Sequence, residues 1–295
     1  MPWRRWLGYG LLAILVVGVV LAYQYRLYLR LAWQQPQLFR APVLDQTAPP
    51  LPTDLGAVPI LSFSKTNGYR HRDSIVASIS MLDELAAQNG WQIFHTENGA
   101  VFTPENLQRF RLVLLNHKSG TVWTSAQRQA LKAYVEDGGT LLAQHAAGGD
   151  QGYDWTWYLE QALRAQFVDH PMTRHIQQAT LIVEDRSHLA TAHLDAVWER
   201  HDEWYNFATS PRGNTRVLIS IDEATYDPEK SPMGADHPMV WWHPVGKGRV
   251  FYSALGHTPE TYLEPDFRAF MQGAITWGLN APLTIDNTEE AADEF

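Results

Sequence analysis

The chain of 295 residues contains no cysteine. Disulfides, thiolate metal sites and cysteine nucleophiles are excluded together. Short-spaced catalytic words are missing too: there is no HExxH pair, no GxSxG elbow, and no Walker or dinucleotide fingerprint. Gly246-Lys247-Gly248 reads as a hairpin turn rather than a phosphate loop. Basic charge is scarce, with 23 Lys and Arg against 32 Asp and Glu, a formal net charge of −9, and no basic cluster beyond the first thirty residues. A nucleic-acid partner would need a basic face, so none is expected. No internal repeat occurs. Trp and His are plentiful instead, at twelve each. Acidic, Trp-rich surfaces suit stacking on sugar rings, although extra Trp also fills cores.

One long apolar run exists. Leu7 to Tyr23 is uncharged, follows Arg4 and Arg5, and is bracketed by Trp3, Trp6, Tyr23, Tyr25 and Tyr28. Its length of about 17 residues is the short end of a membrane span, and the aromatic brackets resemble interfacial belts. The expectation is a single-pass anchor in the bilayer through residues 7–23, with the globular part exported to the periplasm or cell exterior. A signal peptide cleaved near Val20-Leu21-Ala22 is the alternative.

The organisation follows as an anchor or signal over residues 1–25, a Pro-rich linker over 26–57, one domain over 58–281 and an acidic tail over 282–295. In the domain, Val58–Phe63, Trp91–His95, Leu112–Asn116 and Thr140–Gln144 read as buried strands alternating with helices. Asp73 or Ser74 is expected to cap the first helix, and Thr124 or Ser125 a later one. The second half yields strands at Thr180–Val183, Arg216–Ile221, Met239–Trp242 and Arg249–Ser253, then a helix over Pro265–Leu279. The fold class is α/β, with a mostly parallel sheet and helices on both faces.

Strand ends deliver side chains to one crevice in such a sheet. Here they offer Asn67, Tyr69 and His71 after strand one, Asn116 and His117 after strand three, and His145 after strand four. Later segments add Asp202-Glu203-Trp204-Tyr205, His237 and Gly256-His257. Imidazoles and carboxylates in one crevice do acid–base work or hold a metal. Trp155, Tyr205 and Trp241 are the candidates for stacking on pyranose rings.

Seven segments in order resemble the ThuA-like family, named for trehalose utilisation, within the class I glutamine amidotransferase-like superfamily. They are Phe63–Ile75, Phe102–Leu107, Tyr134–Ala147, Asp202–Phe207, Leu218–Tyr226, Asp236–Trp242 and Gly248–Tyr262. The resemblance implies a flavodoxin-like fold. It also implies action on trehalose-type disaccharides or their oxidised keto derivatives, by a lyase, isomerase or hydrolase. The superfamily's nucleophilic cysteine position is occupied by His145, so glutamine hydrolysis through a thiolate is excluded. Positions that carry over as catalytic candidates are His71, His145, Asp202, Glu203, His237 and His257, with Asn67, Tyr69, Trp155, Tyr205 and Trp241 as substrate-binding candidates. Arg72, inserted before Asp73, departs from the family pattern. The cofactor is left open; a divalent metal such as zinc on His71, His145 and His257 is the candidate. The rival readings are a non-catalytic carbohydrate-binding module and a metal-dependent hydrolase of another small substrate.

Overall fold

The computed structural model describes residues 3–280, in two units that divide between Ala41 and Pro42. The acidic tail expected over 282–295 lies outside the described residues.

In the first unit, helix α1 spans Trp3–Gln24 and helix α2 spans Arg26–Gln34, followed by a 3-10 turn at Pro36–Phe39. The linker expected from residue 26 thus begins as helix: RLYLRLAWQ has good helix formers and no breaker before Pro36. Among the described residues no single helix is long and apolar enough to cross a membrane. Leu15–Gln24 and Tyr28–Gln34, bent by 70°, meet that demand only as a pair, by length and composition.

The second unit is built on a nine-stranded sheet. Its strands are β1 Pro59–Phe63, β2 Gln92–Thr96, β3 Leu112–Asn116, β4 Thr140–Gln144, β6 Gln177–Val183, β7 Val197–Asp202, β9 Arg216–Asp222, β10 Pro238–Val245 and β11 Gly248–Ser253. A separate two-stranded ribbon pairs β5 Phe167–Asp169 with β8 Asn206–Phe207. The order in the main sheet is β2-β1-β3-β4-β11-β10-β9-β6-β7.

The first five strands in that order pair in parallel, and every pairing from β11 onward is antiparallel. The sheet is therefore evenly mixed, not mostly parallel. The reason is local: β10 and β11 are joined by the tight turn at Gly246, which permits only an antiparallel pair. β1, β3 and β4 are buried on both faces, as parallel strands under helices must be.

Helices α3 Arg72–Asn89, α4 Pro104–Leu107 and α5 Ser125–Glu136 make the crossovers, and α6 Pro265–Leu279 follows β11. The β1-to-β2 step runs opposite to the β2-to-β3 and β3-to-β4 steps, so right-handed crossovers place α3 on one face and α4 and α5 on the other. Thr124 closes a capping box with Gln127 at the start of α5. His71, rather than Asp73 or Ser74, occupies the N-cap position of α3, without a side-chain cap bond.

The proline-rich stretch after Ala41 is a docked strap. Asn67 bonds both the N–H and the carbonyl of Val43. Asp45 Oδ2 accepts from Lys65 Nζ at 2.5 Å and from Gly99 N at 2.7 Å. Arg109 reaches the carbonyl of Thr53. Without helix or strand pairing of its own, the strap satisfies its backbone through these side chains.

The antiparallel half coils back on the rest. Asp202, at the end of β7, accepts hydrogen bonds from the backbone of Gly256 and His257, which follow β11. Three strands lie between β11 and β7, so a flat sheet would hold them about 19 Å apart at the usual strand spacing. Register shifts in β10, between Pro238 and Val240 and again before Trp241, add the local twist that coiling needs.

Candidate metal centre

Asn116 and Gln144 are register partners on adjacent parallel strands, and each is followed by a histidine in the left-handed region: His117 at φ +56° and His145 at φ +46°. Few residues other than glycine adopt this conformation, and such strain collects at functional sites. It turns both imidazoles off the strand ends into the interior, where both are fully buried.

His71, His145, Glu203 and His257 converge. One ligand-type atom from each lies within 4.8 Å of the other three. His145 Nε2 is 3.1 Å from His257 Nδ1 and 3.4 Å from Glu203 Oε2, and His257 Nδ1 is 3.0 Å from that same oxygen. Four ligands at 2.0–2.1 Å around a tetrahedral ion stand roughly 3.3 Å apart. The three separations match that edge length.

Tautomers follow from the partners. His145 Nδ1 is 2.6 Å from the carbonyl of Ala254, which can only accept, so Nδ1 carries the proton. In the neutral ring Nε2 is then a bare lone pair turned to the cluster. A backbone carbonyl on the far nitrogen is the usual way a metal-binding imidazole is oriented. Tyr205 stacks on this ring at 4.5 Å, and its hydroxyl lies 3.1 Å from Nε2.

The electrostatics are those of a pre-charged pocket. Burial opposes ionisation of Glu203, but the adjacent imidazoles of His145 and His257 outweigh it and hold its carboxyl well below the usual range. Burial likewise lowers His257, yet the bond to Glu203 prevails and raises it. His71 is pushed well below its ordinary value by burial and by the neighbouring His145 and His257. A neutral His71, with one buried ring nitrogen lacking a partner, suits a ligand role.

Asp202 and His237 stand outside the cluster. Asp202 is spent on structure: Oδ1 takes the N–H of Glu203 and of His257 at 2.9 Å each, and Oδ2 takes Gly256 N at 2.8 Å. It thereby positions both Glu203 and His257. His237 bridges Glu223 Oε1 at 2.9 Å and the carbonyl of Tyr205 at 2.8 Å, so it steadies the tyrosine.

Three residues expected to bind substrate have other duties. Trp241 is fully buried and donates Nε1–H to the carbonyl of Leu163 at 2.9 Å. Trp155 is buried against Trp123, Trp157 and Tyr158. Asn67 holds the strap. Tyr69 is exposed, with its ring 4.9 Å from His71.

Two histidines not among the expected site residues, His170 and His175, lie at the mouth. His170 Nδ1 is 3.3 Å from Glu203 Oε1, and His175 sits with its ring 5.9 Å from His257. Both come from the segment between β5 and β6, which has no periodic pattern; the only signal was the repeated histidine in HPMTRH.

A family model described as trehalose utilisation, ThuA, matches residues 59–278. No curated protein matches the chain. Among solved structures, the chain is similar to a ThuA-like protein from Bacteroides uniformis ATCC 8492. That pair has TM-score 0.66 and 21% identity, covering 79% of this chain and 95% of the other. A ThuA-like protein from Parabacteroides merdae ATCC 43184 aligns at TM-score 0.60 and 17% identity, over 76% and 90% of the two chains. A cytoplasmic protein from Salmonella typhimurium LT2 aligns at TM-score 0.54 and 12% identity, over 74% and 98%. At these identities the likeness shows the α/β fold.

Proposed function

Because the chain belongs to the ThuA, trehalose utilisation, family, we propose that it is a metal-dependent enzyme acting on trehalose-type disaccharides or their keto derivatives. The observation that carries the proposal is the convergence of three imidazoles and one carboxylate within 4.8 Å. His71, His145, Glu203 and His257 would hold a divalent ion such as zinc, which when bound polarises a carbonyl or hydroxyl oxygen.

The protein's own groups supply the rest. His145 is locked in the required tautomer by Ala254. Glu203 stays ionised, so its second oxygen, Oε1, which faces His170, is a free acceptor that would receive a proton from the carbon beside a sugar carbonyl. Proton removal at that carbon is the common first step of isomerisation and elimination. His71 and His257 are only partly buried while His145 and Glu203 are buried, so substrate enters from the side of His71 and His257. Trp155 and Trp241 lie in the core, which removes these two rings from any stacking surface that a pure carbohydrate-binding module would use.

We also place the enzyme on a membrane with its domain exported, from Arg4 and Arg5 ahead of the apolar run Leu7–Tyr23. Fusion of a periplasm-active reporter to the C-terminus tests this; a reporter active only in the cytoplasm refutes it.

Metal content by mass spectrometry, with turnover of trehalose and its keto derivatives, tests the catalytic reading. About one divalent ion per chain is expected, with ion and turnover both lost in His145→Ala. Unchanged turnover in a folded His145→Ala variant overturns it.

A further inference from the structure

His117 is a buried imidazole beside the four-residue centre that the centre leaves unused. Its ring lies 5.3 Å from that of His145 and 5.5 Å from that of His71. Its protonation is fixed by a chain of bonds reaching Tyr262. The Tyr262 hydroxyl has one proton, and it goes to the carbonyl of Gly256 at 2.7 Å, which can only accept. Its lone pairs therefore receive Gln144 Nε2–H at 2.7 Å and His117 Nε2–H at 2.5 Å. Nδ1 of His117 is left as a bare acceptor, and no hydrogen-bond partner reaches it although it is buried. A buried acceptor without a donor costs free energy, and when it stands beside a reactive cluster at a strained backbone position it calls for a ligand.

We propose that His117 is a further binding residue of the centre, whose Nδ1 accepts a hydrogen bond from an O–H group held between His71 and His145. This rests on the metal-enzyme reading for the identity of the centre, but not for the tautomer. The donor chemistry is a hydroxyl, from a sugar or from water. Burial and the neighbouring imidazoles of His145 and His71 keep the ring neutral, as an acceptor must be.

The geometry gives two variants with opposite predictions. His117→Gln keeps an N–H toward Tyr262 and lacks an atom at the Nδ1 place. His117→Asn keeps an acceptor near Nδ1, tolerates the left-handed backbone, and lacks the link to Tyr262. The zinc-loaded full chain, labelled with nitrogen-15 histidine, is titrated with trehalose by NMR and calorimetry. An unprotonated Nδ1 is expected. A shift on adding trehalose identifies the sugar as donor; a hydrogen-bonded shift already present and unmoved identifies water. With a sugar donor, His117→Gln binds trehalose about tenfold more weakly while His117→Asn stays near wild type. With water, the same ranking appears in zinc affinity.

A protonated Nδ1 overturns the proposal. So does the reverse ranking, which would make His117 only an anchor for Tyr262. If the chain takes up no metal and turns over no sugar, the metal-enzyme reading fails, and the nitrogen signal of His117 still decides the tautomer.

Discussion

Asp202→Asn tests whether the centre is held from behind. The wild-type carboxylate is fully buried, takes three backbone N–H groups, and lies 3.6 Å from Arg200. An amide in its place keeps the shape and exchanges one acceptor for a donor. The less damaging orientation puts the NH2 at the Oδ2 position. There it loses the bond from Gly256 and faces the Arg200 guanidinium. Losing one charge-assisted bond costs about 2 kcal/mol, and weakening the other two from charged to neutral adds about 1 kcal/mol each. The sum, about 4 kcal/mol, lies within the range for breaking a buried ion pair. It is a large share of a domain's typical stability. Because the lost bonds hold the backbone of Glu203 and His257, metal affinity should fall 10- to 100-fold as well. Urea unfolding and zinc competition with a chelator give the two numbers. A variant within 1 kcal/mol of wild type and with unchanged zinc affinity refutes the reasoning.

Three further outcomes are expected. Glu203→Gln removes the one carboxylate of the four, so chelator competition should show zinc binding at least 100-fold weaker with an unchanged circular dichroism spectrum; retained affinity counts against the centre. Trp241→Phe loses volume and the bond to Leu163 and should cost about 2 kcal/mol in urea without altering trehalose affinity; a selective loss of sugar binding would return Trp241 to the substrate. Burial lowers His243 to about 4, where Nε2–H serves the carbonyl of Gln161. The unfolded chain takes this proton first. The stability linked to it is therefore complete above pH 6.5 and is lost as pH falls toward 4, by about 3 kcal/mol. Urea midpoints at pH 7 and pH 4.5 should converge in His243→Gln, and an unchanged pH dependence in that variant rejects the assignment.

Strands buried on both faces were legible as they stand: PILSF, LVLLN and TLLAQ are continuous runs bounded by turn residues. β7 was not, because its inward positions in VWERHD are Trp198, Arg200 and Asp202, and two buried charges disguise the alternation. That omission explains the treatment of Asp202 and Glu203 as a pair. Neighbours leaving a strand end point different ways, so one carboxylate went to the backbone and the other to the cluster. His145 and His257 could be placed from strand ends that converge in any such sheet. His237 could not be separated from them, since its partners, Glu223 and the carbonyl of Tyr205, are fixed only by the coiling of the sheet. Tryptophan content likewise carries bulk but not direction.

The coiled antiparallel half makes the position of Glu203 a sum of small rotations. His145 follows β4 directly and His257 lies a short loop beyond the end of β11, two strands that pair in register. Glu203 arrives at the end of a lever running through β10, β9, β6 and β7, and the irregularities in β10 set the angle at its base. A change of one residue in that strand, far from any imidazole, would therefore act as a tuning screw on the carboxylate. Variation in the shape of this arm would retune the site without exchanging any of the four converging side chains.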